Sequence, residues 1–216
     1  MPNLSFYVDP VLTNQGIKIK MARFFVPEIS KRRGSELEKD IENAVKTLDI
    51  LTMLQSPILR EYKKFYKEFD ESLISPAEHL LLIIQKSGNI PNINKVVDCY
   101  NIVSVETLLS IGAHDLKYIN GNLKFVITNG NEKYIPLGGT EQEKVNKGEC
   151  ACMDEEKIIC RMDIKQCNET KVSLETKDFI IYVQGNQETS EDYVLNGLMK
   201  VCKNIEKYCL GKYEIL

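Results

Sequence analysis

The sequence predicts an α+β fold, and three observations predict it. Strand-like and helix-like stretches are segregated along the chain rather than alternating, which argues against a parallel βαβ arrangement. A helix start of capping-box type stands in the first half. From Asn122 to Val183 the pattern turns to short β runs separated by turn residues.

Each element has its own signal. Leu4 to Val8 and Ile17 to Val26 are rich in β-branched and aromatic residues and flank the turn-like Thr13-Asn14-Gln15-Gly16, so they read as opening strands. Leu37, Ile41, Ala44, Val45 and Leu48 recur at helical spacing, as do Ile58, Tyr62, Phe65, Tyr66 and Phe69. Ser75 precedes Pro76 and stands three residues before Glu78, which predicts an N-cap, a first-turn proline and a reciprocal cap on the run Leu80 to Ile84. Gly88 suits the end of that helix. Ile90 to Asn94 reads as a short loop, and periodicity alone leaves Lys95 to Leu109 open between strand and helix. Further strands are expected at Leu123–Thr128, Lys133–Pro136, Glu149–Met153, Lys157–Arg161 and Phe179–Val183. A final helix, about Glu191 to Cys209, carries Leu195, Leu198, Val201, Cys202, Ile205 and Cys209 and stops at Gly211.

A chain of 216 residues can bury a core of its own without a metal or disulfide staple. Apolar residues at 43% and charged residues at 27% are ordinary for a globular protein. The formal net charge of −3 excludes bulk coating of nucleic acid, so any RNA contact must use a local basic face. Leu80 to Ile84 is the longest apolar run, far short of a membrane span, and the N-terminus lacks a signal-peptide pattern. A cytoplasmic protein without a membrane partner is expected. The odd count of seven Cys suits reduced thiols.

Several chemistries are excluded by their missing motifs: no phosphate-binding glycine loop with Lys-Ser or Lys-Thr, no Gly-x-Gly-x-x-Gly and no Gly-x-Ser-x-Gly. Two His residues are too few for a His-rich metal site, and His79 falls within an apolar helix. Cys150, Cys152, Cys160 and Cys167 allow a zinc reading. Their spacing lacks a Cys-x-x-Cys knuckle, and Cys150 and Cys152 on a strand share one face as core residues would. No metal and no cofactor are therefore expected. Lys31-Arg32-Arg33 and Lys63, Lys64 and Lys67 are basic clusters that read first as solvated faces.

The stretch from Asn94 to Thr176 sets polar residues among apolar ones: Asp98, Asn101, Ser104, Glu106, His114, Asp115, Arg161, Gln166, Asn168 and Thr170. Buried polar groups need partners. Asp98 and Asn101 suit a helix start, and Asp115 suits a turn. Together they look like the wall of a polar pocket.

Val96 to Glu106, Gly112-Ala113-His114-Asp115-Leu116, Ile119-Asn120-Gly121, Glu132, Leu137-Gly138-Gly139-Thr140, Asp154, Thr170-x-Val172 and Thr176 form an ordered set of blocks. With this set, residues 75 to 184 resemble the B3/B4 domain of the phenylalanyl-tRNA synthetase β subunit, and the whole chain resembles free-standing B3/B4 proteins. The resemblance implies a β-sandwich of unusual topology flanked by helices. It also implies an N-terminal part, residues 1–70, packed on a B3/B4-like part, residues 71–216, as one compact unit. In the synthetase this domain hydrolyses the ester of a wrongly attached tyrosine, because binding alone rejects an added hydroxyl poorly.

The match is mixed residue by residue. Asn101, Glu106, Ala113 and Asp115 fit the pattern. Tyr100 stands where the family has Thr, and Gly112 stands where it has His, with His114 two places on. Cys160-Arg161-Met162 replaces an Ala-x-Gly segment, and the Glu that reads the tyrosine hydroxyl falls near Tyr182. The expected function is RNA interaction, with tRNA or aminoacyl-tRNA as partner rather than DNA, and hydrolysis of mischarged esters in trans. The expected pocket comprises Tyr100, Asn101, Ser104, Gly112, Arg161, Asn168 and Thr170, with His114 as general base. Arg161 would meet a phosphate or carboxylate, and Asn101 and Thr170 would hold water or the ester carbonyl. The alternative is a non-catalytic module that holds a tRNA end, a nucleotide or an amino acid.

Overall fold

Two β-sheets with their inner faces packed together, and a layer of helices on the outside of one of them, make up the α+β architecture in the computed structural model, which describes residues 4–67, 69 and 71–216. In chain order the elements are β1 (Phe6–Val8), α1 (Pro10–Asn14), β2 (Lys18–Phe25), α2 (Ser35–Thr47), α3 (Ile50–Met53), α4 (Pro57–Lys67), α5 (Pro76–Ser87) and α6 (Lys95–Thr107). Then come β3 (Ser110–Asp115), a 3-10 turn (Leu116–Tyr118), β4 (Leu123–Ile127), β5 (Cys150–Met153), β6 (Ile158–Arg161), β7 (Lys165–Gln166), β8 (Asp178–Gly185), α7 (Glu191–Cys209) and β9 (Lys212–Ile215).

The first sheet has the order β1-β4-β5-β6-β7, with β1 parallel to β4 and the rest antiparallel. The second has the order β3-β8-β2-β9 and is antiparallel throughout. Period-two alternation assigns the faces of the second sheet. On β8, Phe179, Ile181 and Val183 pack under the helices, while Ile180 and Tyr182 face the first sheet. On β2, Ala22 and Phe24 meet the helices, and Ile19 and Met21 join the inter-sheet core with Leu123, Phe125, Cys150, Cys152 and Cys160.

Local signals account for the helices. Ser75 caps α5 by accepting from the Glu78 backbone N–H, and Gly88 closes it in the left-handed region. Asn94 caps α6 by accepting from Val97 N–H at 3.0 Å, so the stretch that periodicity left open is a helix.

The strand expectations differ from the structure in four places, and two of these, the short β7 and the final β9, are simply absent from them. Lys133–Pro136 is not a strand: pairing there shrinks to one isolated bridge between Pro136 and Cys167, and proline has no N–H to continue a ladder. β3 was not anticipated. All six of its residues are buried, so it shows no alternation between core and solvent. Among the described residues no helix is long and apolar enough to cross a membrane.

Candidate functional site

The inner faces of β3 and β8 carry a seam of polar groups through an otherwise apolar core. On β3 the residues at even positions, Ser110, Gly112 and His114, lie on the face opposite Ile111 and Ala113, which meet the helices. Their cross-strand partners on β8 are Gln184, Tyr182 and Ile180.

At one end of the seam, His114 is fully buried. Its Nδ1 lies 2.9 Å from Thr170 Oγ1, and its Nε2 has no hydrogen-bond partner among the described residues. The ring stacks on Tyr182, with centroids 5.9 Å apart and planes 11° apart. Burial pushes the imidazole pKa down to about 3, so the ring is neutral at physiological pH. Next to it, Asp115 accepts from Lys117 N–H at 2.9 Å and from the Thr176 hydroxyl at 2.6 Å, the turn-closing role read from the sequence.

Gly112 is needed at the centre of the seam. A Cβ there would lie 2.9 Å from both Cζ and the hydroxyl oxygen of Tyr182. The Tyr182 hydroxyl lies beside the Cys160 thiol and meets hydrogen-bond geometry with no described group. The space over Gly112 is thus filled by the protein's own phenol.

At the other end, Asp163 is 6% exposed. It stands in the tight turn between β6 and β7, where Met162 and Asp163 both have positive φ and the Ile164 N–H donates back to Arg161 C=O at 3.1 Å. The Tyr66 hydroxyl donates to its carboxylate at 2.8 and 2.9 Å, and the Ser110 hydroxyl donates to its carbonyl at 3.4 Å. Burial pushes the carboxyl pKa up to about 7, against the hydrogen bonds from Tyr66.

The other expected site residues lie elsewhere. Tyr100, Asn101 and Ser104 are on α6, in the helix layer on the far side of the second sheet. The Ser104 hydroxyl donates to Leu109 C=O at 2.7 Å, and Tyr100 is packed against the helix-side core. Arg161 pairs in register with Ala151, which belongs to the small cluster on the outer face of the first sheet with Tyr134 and Cys167. There its guanidinium forks onto Glu149 at 2.7 and 2.8 Å, reaches Glu143 at 2.7 Å and lies over the Tyr134 ring. Burial alone would weaken the Arg161 charge, and Glu149 and Glu143 outweigh it, so the pKa is raised. The fork is already filled by carboxylates, and Arg161 lies on the outer face of the first sheet while His114, on the second, lies between the sheets. Of the expected pocket residues, only Gly112, His114 and Thr170 come together in the seam.

The thiols divide in the same way. Cys150, Cys152 and Cys160 belong to the inter-sheet core and Cys167 to the outer cluster, so the four do not converge. In the basic cluster, Arg33 is buried and pairs with Asp98 at 2.7 Å, which removes it as a phosphate contact.

Asn168 leads to open surface. It lines a cleft of about 710 Å³ with Lys117, Tyr118, Lys157 and Lys171. A second cleft of about 610 Å³ adjoins through Lys117 and Ile119 and is walled by Leu4 and Leu116. Lys157 braces the first cleft: it donates to Tyr118 C=O at 2.9 Å and pairs with Asp154 and Glu169, each at 3.3 Å. Lys171 meets Asn168 Oδ1 at 3.0 Å, and Lys117 lies 5.3 Å from the Tyr118 ring centre. Neither Lys117 nor Lys171 has a carboxylate partner among the described residues. Sequence reasoning passed over these residues, although Lys117-Tyr118 directly follows the Gly112–Leu116 block.

The B3/4 domain family matches residues 62–206, two thirds of the chain. The chain belongs to the B3/4 domain family. No curated protein matches it. Among solved structures, this B3/4 chain is similar to an N-terminal fragment of the phenylalanyl-tRNA synthetase β subunit from Pyrococcus horikoshii, with a TM-score of 0.51 and 14% identity. The match takes in 99% of this chain and 51% of that one, so the B3/4 protein spans about half the fragment's length.

Proposed function

We propose that this B3/4 protein is an RNA-interacting protein that holds the aminoacylated end of a tRNA in the cleft around Tyr118. The observation that carries the reading is the cleft itself: Lys117 and Lys171, two cations without carboxylate partners among the described residues, flank an exposed aromatic ring on a strand-and-turn scaffold. Lysines take phosphates, and an exposed aromatic face stacks a base for about 1–3 kcal/mol. Family membership and the likeness to a tRNA synthetase fragment favour an RNA end over other polyanions.

Hydrolysis of a mischarged ester in trans is the second reading, favoured by the His114–Thr170 pair and by a His114 Nε2 with no partner among the described residues. A general base must reach the water it activates. With Tyr182 packed over Gly112 the imidazole is closed off, so this chemistry requires the phenol to move aside. Incubating the protein with a panel of mischarged tRNAs tests both readings. Retention of tRNA without deacylation above buffer supports the binding module. Deacylation that falls by about 100-fold or more in His114→Ala supports the enzyme. Failure to retain any tRNA at low salt contradicts the proposal.

A further inference from the structure

The helix layer contains a pair of thiols far from the seam and the cleft. Cys99, on the second turn of α6, and Cys209, the last residue of α7, place their Sγ atoms 3.9 Å apart. The pair spans 110 positions of sequence but sits where two helices are already tied: Asn204 of α7 donates through its side chain to Cys99 C=O at 3.1 Å. Cys99 is fully buried, and Cys209, at the helix end, is 6% exposed.

We propose that Cys99 and Cys209 form an oxidisable dithiol that closes to an intramolecular disulfide under peroxide, linking α6 to α7.

The two sulfurs have different roles. Cys209 is the more exposed of the two, at the helix end, and there a hydrogen bond from Cys99, with the charge of Lys95, outweighs burial and lowers its pKa. The partnership with Cys209, together with burial, pushes the Cys99 thiol up. The thiolate is the nucleophile. Cys209 therefore attacks a peroxide oxygen: an S–O bond forms, the O–O bond breaks, and the released hydroxide takes a proton to become water. The product is a sulfenic acid. Cys99 then attacks that sulfur: the S–S bond forms, the S–O bond breaks, and the hydroxyl leaves as water with the proton of Cys99. In sum, two thiols and one hydrogen peroxide give one disulfide and two waters. The sulfurs must approach from contact distance to bonding distance, about 2 Å, within a helix pair whose neighbouring contacts already hold it together.

The test is hydrogen peroxide titration of the full folded chain, followed by non-reducing peptide mapping. The expected result is a peptide joining Cys99 to Cys209, reversed by dithiothreitol, together with a denaturant midpoint higher than that of the reduced protein. In Cys99→Ser, Cys209 accumulates as a sulfenic acid that dimedone traps. In Cys209→Ser, Cys99 stays reduced. If either variant fails to fold, the map of the unmodified chain decides. The proposal is overturned if both cysteines stay reduced, if they end as separate sulfinic or sulfonic acids, or if the link forms only after unfolding. A Cys152–Cys160 link in place of Cys99–Cys209 overturns it as well.

Discussion

Gly112 on β3 and Tyr182 on β8 are cross-strand partners, and the phenol of Tyr182 occupies the space that a side chain at position 112 would need. This close fit joins the two strands of the polar seam and closes the space between the sheets beside His114. It yields a stability prediction. Gly112→Ala has to displace a fully buried ring and should cost about 1–3 kcal/mol, as overpacking of a core does. Tyr182→Phe removes a hydroxyl that meets hydrogen-bond geometry with no described group and should change stability little. In a Tyr182→Ala background the added cost of Gly112→Ala should shrink, because the two sites share one space. Urea unfolding of the parent, Gly112→Ala, Tyr182→Ala and the double variant measures the coupling. Additive costs would contradict this account of Gly112.

His114 and Asp163 give stability opposite pH dependences. His114 has its folded pKa depressed to about 3 from the ordinary 6.5, so the unfolded chain binds the proton more readily. Its contribution is present above pH 6.5 and is lost as pH falls toward 3. Asp163 has its folded pKa raised to about 7 from the ordinary 3.8, so the folded chain holds the proton. Its contribution is present below pH 3.8 and is lost as pH rises through 7. Between those ordinary values the two slopes oppose each other. Asp163→Asn should therefore unmask a loss of stability on acidification, and His114→Gln a loss on moving from acid to neutral pH, each with a slope of about one proton. Denaturant midpoints across pH 4 to 7 read both slopes. Identical pH profiles in the parent and both variants would contradict the assignment.

Arg161 is expected to matter for folding. Arg161→Met leaves the Glu149 carboxylate buried without its partner, which should cost about 3–5 kcal/mol. Adding Glu149→Leu removes the stranded charge and should recover most of the loss. Thermal or urea unfolding checks this. If RNA binding falls sharply while the fold keeps its stability, Arg161 is a ligand contact instead.

The α5 helix was legible because its cap, first-turn proline and closing glycine act within a few residues of one another. β3 was not, since a strand buried on both faces has no alternating signature, and Gly112 and His114 do not resemble strand formers. The likeness of residues 75 to 184 to a B3/B4 domain gave the family, and the match to residues 62–206 agrees with it. The site was legible only in part. His114 and Thr170 stood out as polar residues in apolar surroundings, and they meet. Arg161 stood out for the same reason, but its neighbour Cys160 takes the inner face of β6, and its carboxylate partners come from the long connection before β5 and the residue that leads into it. Lys117, Tyr118 and Lys171 form a cleft only because the 3-10 turn and the Asn168–Ser173 loop are brought together by the bridge between His114 and Lys171.

The central claim is that the Tyr118 cleft holds a tRNA end, and fluorescence anisotropy of a tRNA labelled away from its acceptor end tests it most directly. Titrations at several salt concentrations compare the parent with Lys117→Ala, Lys171→Ala and Tyr118→Ala. The predicted result is salt-sensitive binding by the parent, a salt slope reduced by about 1 for each lysine removed, and weaker binding with an unchanged slope for Tyr118→Ala. Binding of equal strength and equal salt slope in all four proteins, or no binding by the folded parent at low salt, would contradict it.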